Sequence, residues 1–151
     1  SLRSPLYPQT RAPSYSITAN ITNPWPTTIA SREAYEMAGI GPEDLDVVEL
    51  QDADAFSEIR YTEELGLCAD GEGGPLVESG ATEIGGRLPV NPSGGLLSKG
   101  EPMGASAVAQ IVELTWQLRG QAGPRQVEGA KVALAHVIGA GDNCGVTILK
   151  R

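Results

Sequence analysis

The sequence predicts an α/β layer with a mixed sheet, and three observations carry that prediction. Hydrophobic periodicity changes along the 151 residues in the order strand, helix, short helix, strand, helix, long loop, helix, strand, strand. The run over 132–138 is apolar on both faces, as in a strand with layers on either side. Gly139-Ala140-Gly141-Asp142-Asn143 joins it to a last run over 144–149, so the final two strands are adjacent and antiparallel. A chain of this length makes one domain that buries roughly two thirds of its unfolded surface.

Residues 1–14 carry Pro5, Pro8 and Pro13 with little periodicity and predict an extended arm, leaving 15–151 as the domain. Tyr15, Ile17, Ala19 and Ile21 alternate, predicting a strand over 15–21 that Asn23-Pro24-Trp25-Pro26 ends. Thr27 or Thr28 caps the next helix, which turns Ala30, Ala34, Met37 and Ala38 inward and stops at Gly39. Pro42 at a first helical position, with Glu43 and Asp44 near the positive end, predicts a single turn. A short buried strand over 47–50 leads into a helix within 51–65. Asp52 or Asp54 caps that helix, Phe56, Ile59 and Thr62 face inward, and Gly66 ends it. Six glycines between Asp70 and Gly86 predict a long excursion with little regular structure, of the kind that serves a site or an interface. Over 105–118, Ser106, Gln110, Glu113 and Gln117 recur at helical steps. They form one narrow polar stripe on an otherwise apolar cylinder, which predicts a helix buried on most sides with Trp116 in the core. Trp25, between prolines, is expected as a loop anchor.

A formal charge of -8 argues against nucleic acid or an anionic membrane surface as partner, since both reward Lys and Arg. No apolar run approaches the roughly 18 residues of a spanning helix, and the N-terminus lacks a signal-peptide pattern. A soluble, cytoplasmic protein with no membrane span is expected. Cys68 and Cys144 lie in apolar surroundings with no second cysteine nearby, which predicts buried thiols, no disulfide framework and no metal site. The start at Ser1 is expected of a fragment of something longer.

The chain is organised around residues 91–107, NPSGGLLSKGEPMGASA. Gly94 and Gly95 allow positive φ or the close approach of a backbone or ligand. Gly100, Pro102 and Gly104 lead into a helix whose free N–H groups point back at the loop, with Glu101 held on a stiff turn. This stretch resembles the signature of the thiolase superfamily. From about Ser31 onward the runs GIGPEDLDVVELQD, LGLCADGEGGPLVESG, LPVNPSGGLLSKGEPMGASA and WQLRGQAGPRQVEGAKVALAH are similar to the C-terminal half of a thiolase, closest to the sterol-carrier or lipid-transfer branch. The resemblance implies a thiolase-like C-terminal domain with a sheet of the five-stranded type. It implies a coenzyme A thioester as substrate, with no covalently bound cofactor. It further implies, as partner, an N-terminal thiolase-like half or subunit that carries the nucleophilic cysteine, in a homo- or hetero-oligomer.

Three motifs of that half do chemistry in the family. The Asn-Glu-Ala-Phe motif, His-Asp-Cys-Phe in the sterol-carrier branch, falls on Gln51-Asp52-Ala53-Asp54, so the acid/base cysteine of that branch is Ala53 here. Gln51 keeps an amide that can bond a water near the thioester oxygen. The Gly-His-Pro motif falls on Gly100-Glu101-Pro102, which puts Glu101 in place of the histidine. The Cys-x-Gly motif falls on Val137-Ile138-Gly139, and Cys144, beyond the glycine loop, does not fit it. The candidate catalytic residues are therefore Glu101 and Gln51. His136, the only histidine, reads as a satisfied core residue and stays a candidate through the neighbouring motif. Gly94, Gly95, Gly104 and Gly139 are the candidate substrate-binding positions. Claisen chemistry needs a donor for an oxyanion and a thiol near neutral pKa. An ionised Glu101 repels that oxyanion, whereas one kept protonated by a raised pKa donates to it.

Three function classes follow. One is the C-terminal domain of an acyltransferase-fold protein whose nucleophile lies in a missing N-terminal half. Another is a retro-aldol carbon–carbon lyase, like the thiolase-like proteins of bacterial steroid side-chain degradation. The third is a non-catalytic acyl-CoA or lipid-binding subunit. The chain alone is expected to be no enzyme, and the full-length parent is the candidate acyltransferase.

Overall fold

A strand that is apolar on both faces needs cover on both, and the run after Lys131 receives it. In the computed structural model, which describes residues 9–11 and 25–151 apart from Asp142, the chain forms four strands and five α-helices among those residues. In chain order these are β1 Gln9–Arg11, α1 Pro26–Ala38, β2 Val47–Glu49, α2 Ala55–Glu64, α3 Gly73–Glu78, α4 Gly95–Lys99, α5 Ser106–Arg119, β3 Val132–Gly139 and β4 Asn143–Lys150. Single 3-10 turns at Pro42–Asp44 and Gly123–Arg125 complete the set. The sheet runs β1-β4-β3-β2. β3 pairs antiparallel with β4, His136 opposite Val146, and parallel with β2, Leu134 opposite Val48. The sheet is therefore mixed, as expected, with its last two strands antiparallel. β1 adds antiparallel to the free edge of β4. The strand expected over 15–21 lies outside the described residues.

Alternation along β3 sorts the core into two layers. Leu134 packs with Val48, Leu50, Val146, Leu65 and the Ala30–Ala34–Tyr35 face of α1. Ala133 and Ala135 point the other way, towards Leu114, Leu118 and Val47. Leu114 and Leu134 are fully buried, and truncating either to alanine would cost about 2–5 kcal/mol.

Several local expectations are corrected. Trp25, not Thr27 or Thr28, is the N-cap of α1; Thr27 is turned into the core. Met37 and Phe56 are exposed at 62% and 69%, because each lies on the solvent side of its helix. Trp25 is half-exposed beneath the Arg60 guanidinium, 4.1 Å from the ring centroid. Asp54 caps α2 by accepting the Ser57 N–H at 2.8 Å. The glycine-rich excursion contains the short helix α3, and Cys68 is only partly buried.

The largest correction concerns α5, whose polar stripe points inward. Ser106, Gln110, Glu113 and Gln117 are all buried, while Val108, Val112 and Trp116 are exposed at 61%, 39% and 44%. The reason lies in the segment after the helix, which brings polar partners underneath it. Gln117 donates to Glu113 Oε1 and to the Arg125 carbonyl, and accepts from the Val127 N–H at 2.7 Å. Arg125 grips both oxygens of Glu113, at 3.2 and 2.9 Å, and Gln110 donates to the His136 carbonyl at 2.9 Å. Glu113 and Gln117 are bonded inside and Gln110 through its Nε2, while Gln110 Oε1 is buried without a partner among the described residues, and Val108, Val112 and Trp116 are left on the open side. Gln117→Ala would strand the Val127 N–H and the Arg125 carbonyl, and is expected to lower stability by about 2–4 kcal/mol in a urea titration. A loss under 0.5 kcal/mol would mean that this network is not what orients α5.

Candidate functional site

The site is built where the chain leaves β2. Val48, Glu49, Leu50 and Asp52 each bond the loop over 91–97. The Val48 carbonyl accepts the Asn91 N–H at 2.8 Å, and the Leu50 N–H donates to Asn91 Oδ1 at 2.8 Å. Asn91 holds φ at +50°, a left-handed conformation that asparagine tolerates. The carboxylate of Glu49, 1% exposed, accepts from the Ser93 N–H at 3.0 Å and the Ser93 hydroxyl at 2.7 Å, and Lys99 donates to that hydroxyl at 2.6 Å. Burial pushes the Glu49 carboxyl above its ordinary pKa, against the Ser93 bonds and the Lys99 charge. Asp52, equally buried, accepts the Leu96 N–H at 2.6 Å and the Leu97 N–H at 3.4 Å across the start of α4.

Gln51 turns the other way. Its Oε1 accepts the Ile138 N–H at 2.8 Å, which leaves Nε2 free to donate to the Glu101 carboxylate. Only an oxygen can accept from Ile138, so the amide orientation follows from the bonding. Gln51 is buried and Glu101 exposed, so the pair runs from the end of β3 to the surface of the Glu101 turn. A small cavity of about 90 Å³ beneath the turn is lined by Glu49, Asp52, Gly95, Lys99, Pro102 and Gln110, among others. An open groove of about 590 Å³ runs beside α5 and β3–β4, past Val137, Gly139 and Gly145.

The structure thus brings together Gln51, Glu101, Gly95 and, one residue beyond Ile138, Gly139. Gly95, at φ +60°, lies over Asp52: a Cβ there would sit 1.9 Å from Oδ2, which is reason enough for glycine. Gly94 and Gly104, at φ +89° and +76°, are exposed on the same loop, with strained backbone as their requirement. His136 is not brought into the cluster. It occupies the opposite face of β3, fully buried, with Nε2 3.0 Å from the Thr27 hydroxyl and its ring 4.6 Å from that of Tyr61. Cys144 is buried on the same side, its thiol 3.9 Å from the Thr27 hydroxyl, and burial pushes its pKa up to about 11. Sequence reasoning missed Glu49, Ser93, Lys99 and the Ile138 N–H. Glu49 carried a signal, because a carboxylate in an apolar strand must find a partner.

The fold and the order of these motifs define a thiolase-type α/β domain. The chain belongs to the family described as thiolase C-terminal domain-like, whose model matches residues 9–151. It is 54% identical over 121 residues to sterol carrier protein 2 of Bos taurus, covering 80% of this chain and 22% of that protein. It is 48% identical over 126 residues to an acetyl-CoA acetyltransferase of Methanothermobacter thermautotrophicus, covering 83% of this chain and 33% of the relative. A solved structure titled Ltp2-ChsH2(DUF35) aldolase superposes with a TM-score of 0.70 at 27% identity, covering 82% of this chain and 31% of that one. The chain therefore spans between about a fifth and a third of the length of these relatives. Among the described residues no helix is long and apolar enough to cross a membrane.

His136 generates a pH prediction. Burial pushes its pKa down from 6.5 to about 3, so the folded chain keeps it neutral while the unfolded chain protonates it below 6.5. Its share of stability is full above pH 6.5 and is lost as pH falls, by about 1.4 kcal/mol per unit until the folded pKa is reached. Denaturant titrations of His136→Gln between pH 7 and 4 should show a slope shallower by that amount. Parallel pH profiles for the two proteins would refute the assignment.

Proposed function

We propose that this chain is the C-terminal, acyl-CoA-handling part of a thiolase-like protein of the lipid-transfer type, whose nucleophilic cysteine comes from an N-terminal half. The observation that carries this reading is the Gln51–Glu101 pair, anchored on the Ile138 N–H at the three positions where the family keeps its working motifs. Gln51 supplies an amide donor for a thioester oxygen, and Glu101 supplies a carboxyl group that moves a proton beside it. Gly94, Gly104 and Gly139 give a bulky thioester close access to the backbone. The outward stripe of Val108, Val112 and Trp116 is the surface against which the N-terminal half packs, since a soluble domain rarely leaves such a patch bare.

A second reading is favoured by the absence of thiols at Ala53 and Val137 and by the likeness to a structure titled as an aldolase. In retro-aldol cleavage of a β-hydroxyacyl-CoA, the Glu101 carboxylate takes the hydroxyl proton and the Cα–Cβ bond breaks. A carbonyl product leaves, and the electron pair becomes a thioester enolate facing Gln51 Nε2. Glu101 then returns the proton to Cα. No oxidant and no cysteine are needed.

The purified chain alone is expected to release no acetyl-CoA from acetoacetyl-CoA and coenzyme A; measurable thiolysis would sink the two-half reading. In the full-length parent, Glu101→His should lower turnover of the native reaction by about 10²–10⁴-fold, the usual share of a general acid or base. Unchanged turnover would reduce Glu101 to a surface charge near a helix end. Trp116→Glu should leave the fold of residues 25–151 intact while abolishing co-purification with the parent's N-terminal half. Normal assembly of that variant would place the interface elsewhere.

A further inference from the structure

Asp52 makes no cap for its own helix, since Asp54 fills that role for α2. Its carboxylate is 1% exposed and crosses to α4, where it accepts the Leu96 N–H at 2.6 Å and the Leu97 N–H at 3.4 Å. It occupies the space that Gly95 leaves, because a Cβ there would come within 1.9 Å of Oδ2. One residue earlier, Gln51 is tied to β3 through the Ile138 N–H. α4 is only five residues long, ends at Gly100 with φ +79°, and is followed directly by Glu101. The two members of the pair are therefore mounted on one short rigid path: Gln51 to Asp52 by a peptide bond, Asp52 to the first turn of α4 by two charge-assisted bonds, and α4 to Glu101 through a glycine.

We infer that Asp52 is a positioning residue: by clamping the first turn of α4 over Gly95, it sets the separation of the Gln51 amide and the Glu101 carboxylate. This rests on reading that pair as the working pair of the site. Both oxygens of Asp52 face N–H groups, so the clamp needs two acceptors on one small planar group. Asparagine keeps the volume and replaces one acceptor with a donor, which turns one attraction into a repulsion. A longer acid at this position, or any side chain at residue 95, pushes the helix away from Gln51. The same clamp accounts for the glycine at 95 without any ligand.

The test is NMR on the 151-residue chain free of substrate. In Asp52→Asn, the β3–β4 amide pattern should persist while the Leu96 N–H exchanges about tenfold faster, the change expected for one charge-assisted bond lost. The decisive readout is the pair itself: the Gln51 side-chain amide signals should move. Faster Leu96 exchange with the Gln51 amide unaltered would overturn the proposal and leave Asp52 a plain helix cap. Should Asp52→Asn not fold, Asp52→Glu, which keeps the charge on a longer side chain, supplies the second measurement. The Gln51 side-chain amide must move there too, and an unmoved amide would equally overturn the proposal. These signals are read without acyl-CoA, so failure to bind or turn over a thioester would sink the proposed function and leave this inference standing.

Discussion

The structure depends on one constraint: carboxylates buried on the α5 side of the sheet must be bonded, and the loop over 91–97 exists to bond them. Glu49 alternates with the apolar Val48 and Leu50 and so faces away from the α1 layer. An uncompensated charge there would cost several kcal/mol. Ser93 supplies a backbone and a hydroxyl donor, and Lys99 reaches the hydroxyl from α4. Asp52 does the same for the next turn of the loop through Leu96 and Leu97. A loop that could have been mobile is thereby tied at Asn91, Ser93, Leu96 and Leu97, and Glu101 leaves it at a fixed point.

The inward polar face of α5 belongs to the same interior. Glu113, held by Arg125, and Gln110 lie on the side of the sheet that Glu49 occupies, and the charges of Glu113 and Glu49 oppose each other there. The polar layer therefore needs Arg125 as much as Lys99. Burying it costs desolvation, and the bonds of Glu113 to Arg125 and of Gln117 to the Arg125 carbonyl and the Val127 N–H hold the helix in this rotation. The same rotation leaves Val108, Val112 and Trp116 outside, the face proposed above as the seat of an N-terminal half.

Most of the fold was legible because it is written in local signals. The double apolar face of 132–138, the glycine turn after it, Gly39 and Gly66 past two helix ends, and Pro42 at a first position each need only neighbouring residues to act. What was not legible depends on partners distant in sequence. The stripe of Ser106, Gln110, Glu113 and Gln117 has helical periodicity whichever way it faces; only the polar groups of 123–127 decide the direction. Asp52 reads as a cap and is one, but for a helix more than forty residues away. His136 and Gly139 are three residues apart on one strand, and pleating sends their surroundings to different places. The Gln51–Glu101 juxtaposition was legible only through the family motifs, since nothing in fifty intervening residues signals it.

Replacing histidine by glutamate at the turn changes which group can do what. An imidazole donates and accepts, so one residue serves an oxyanion and a proton transfer alike. A carboxylate beside Gln51 accepts only, and it already takes one hydrogen of the amide. On the function proposed above, support for a thioester oxygen then comes from the second Nε2 hydrogen, while Glu101 keeps the proton traffic. The roles are divided between two side chains whose relative position becomes the critical quantity, and that position is set by the Ile138 N–H on one side and the short α4 on the other. A site that split its chemistry in the proposed way would tolerate a change at Ala53 or Val137 more readily than a change in the spacing of Gln51 and Glu101, because the first alters a position that already lacks a thiol and the second removes the geometry on which both groups would rely.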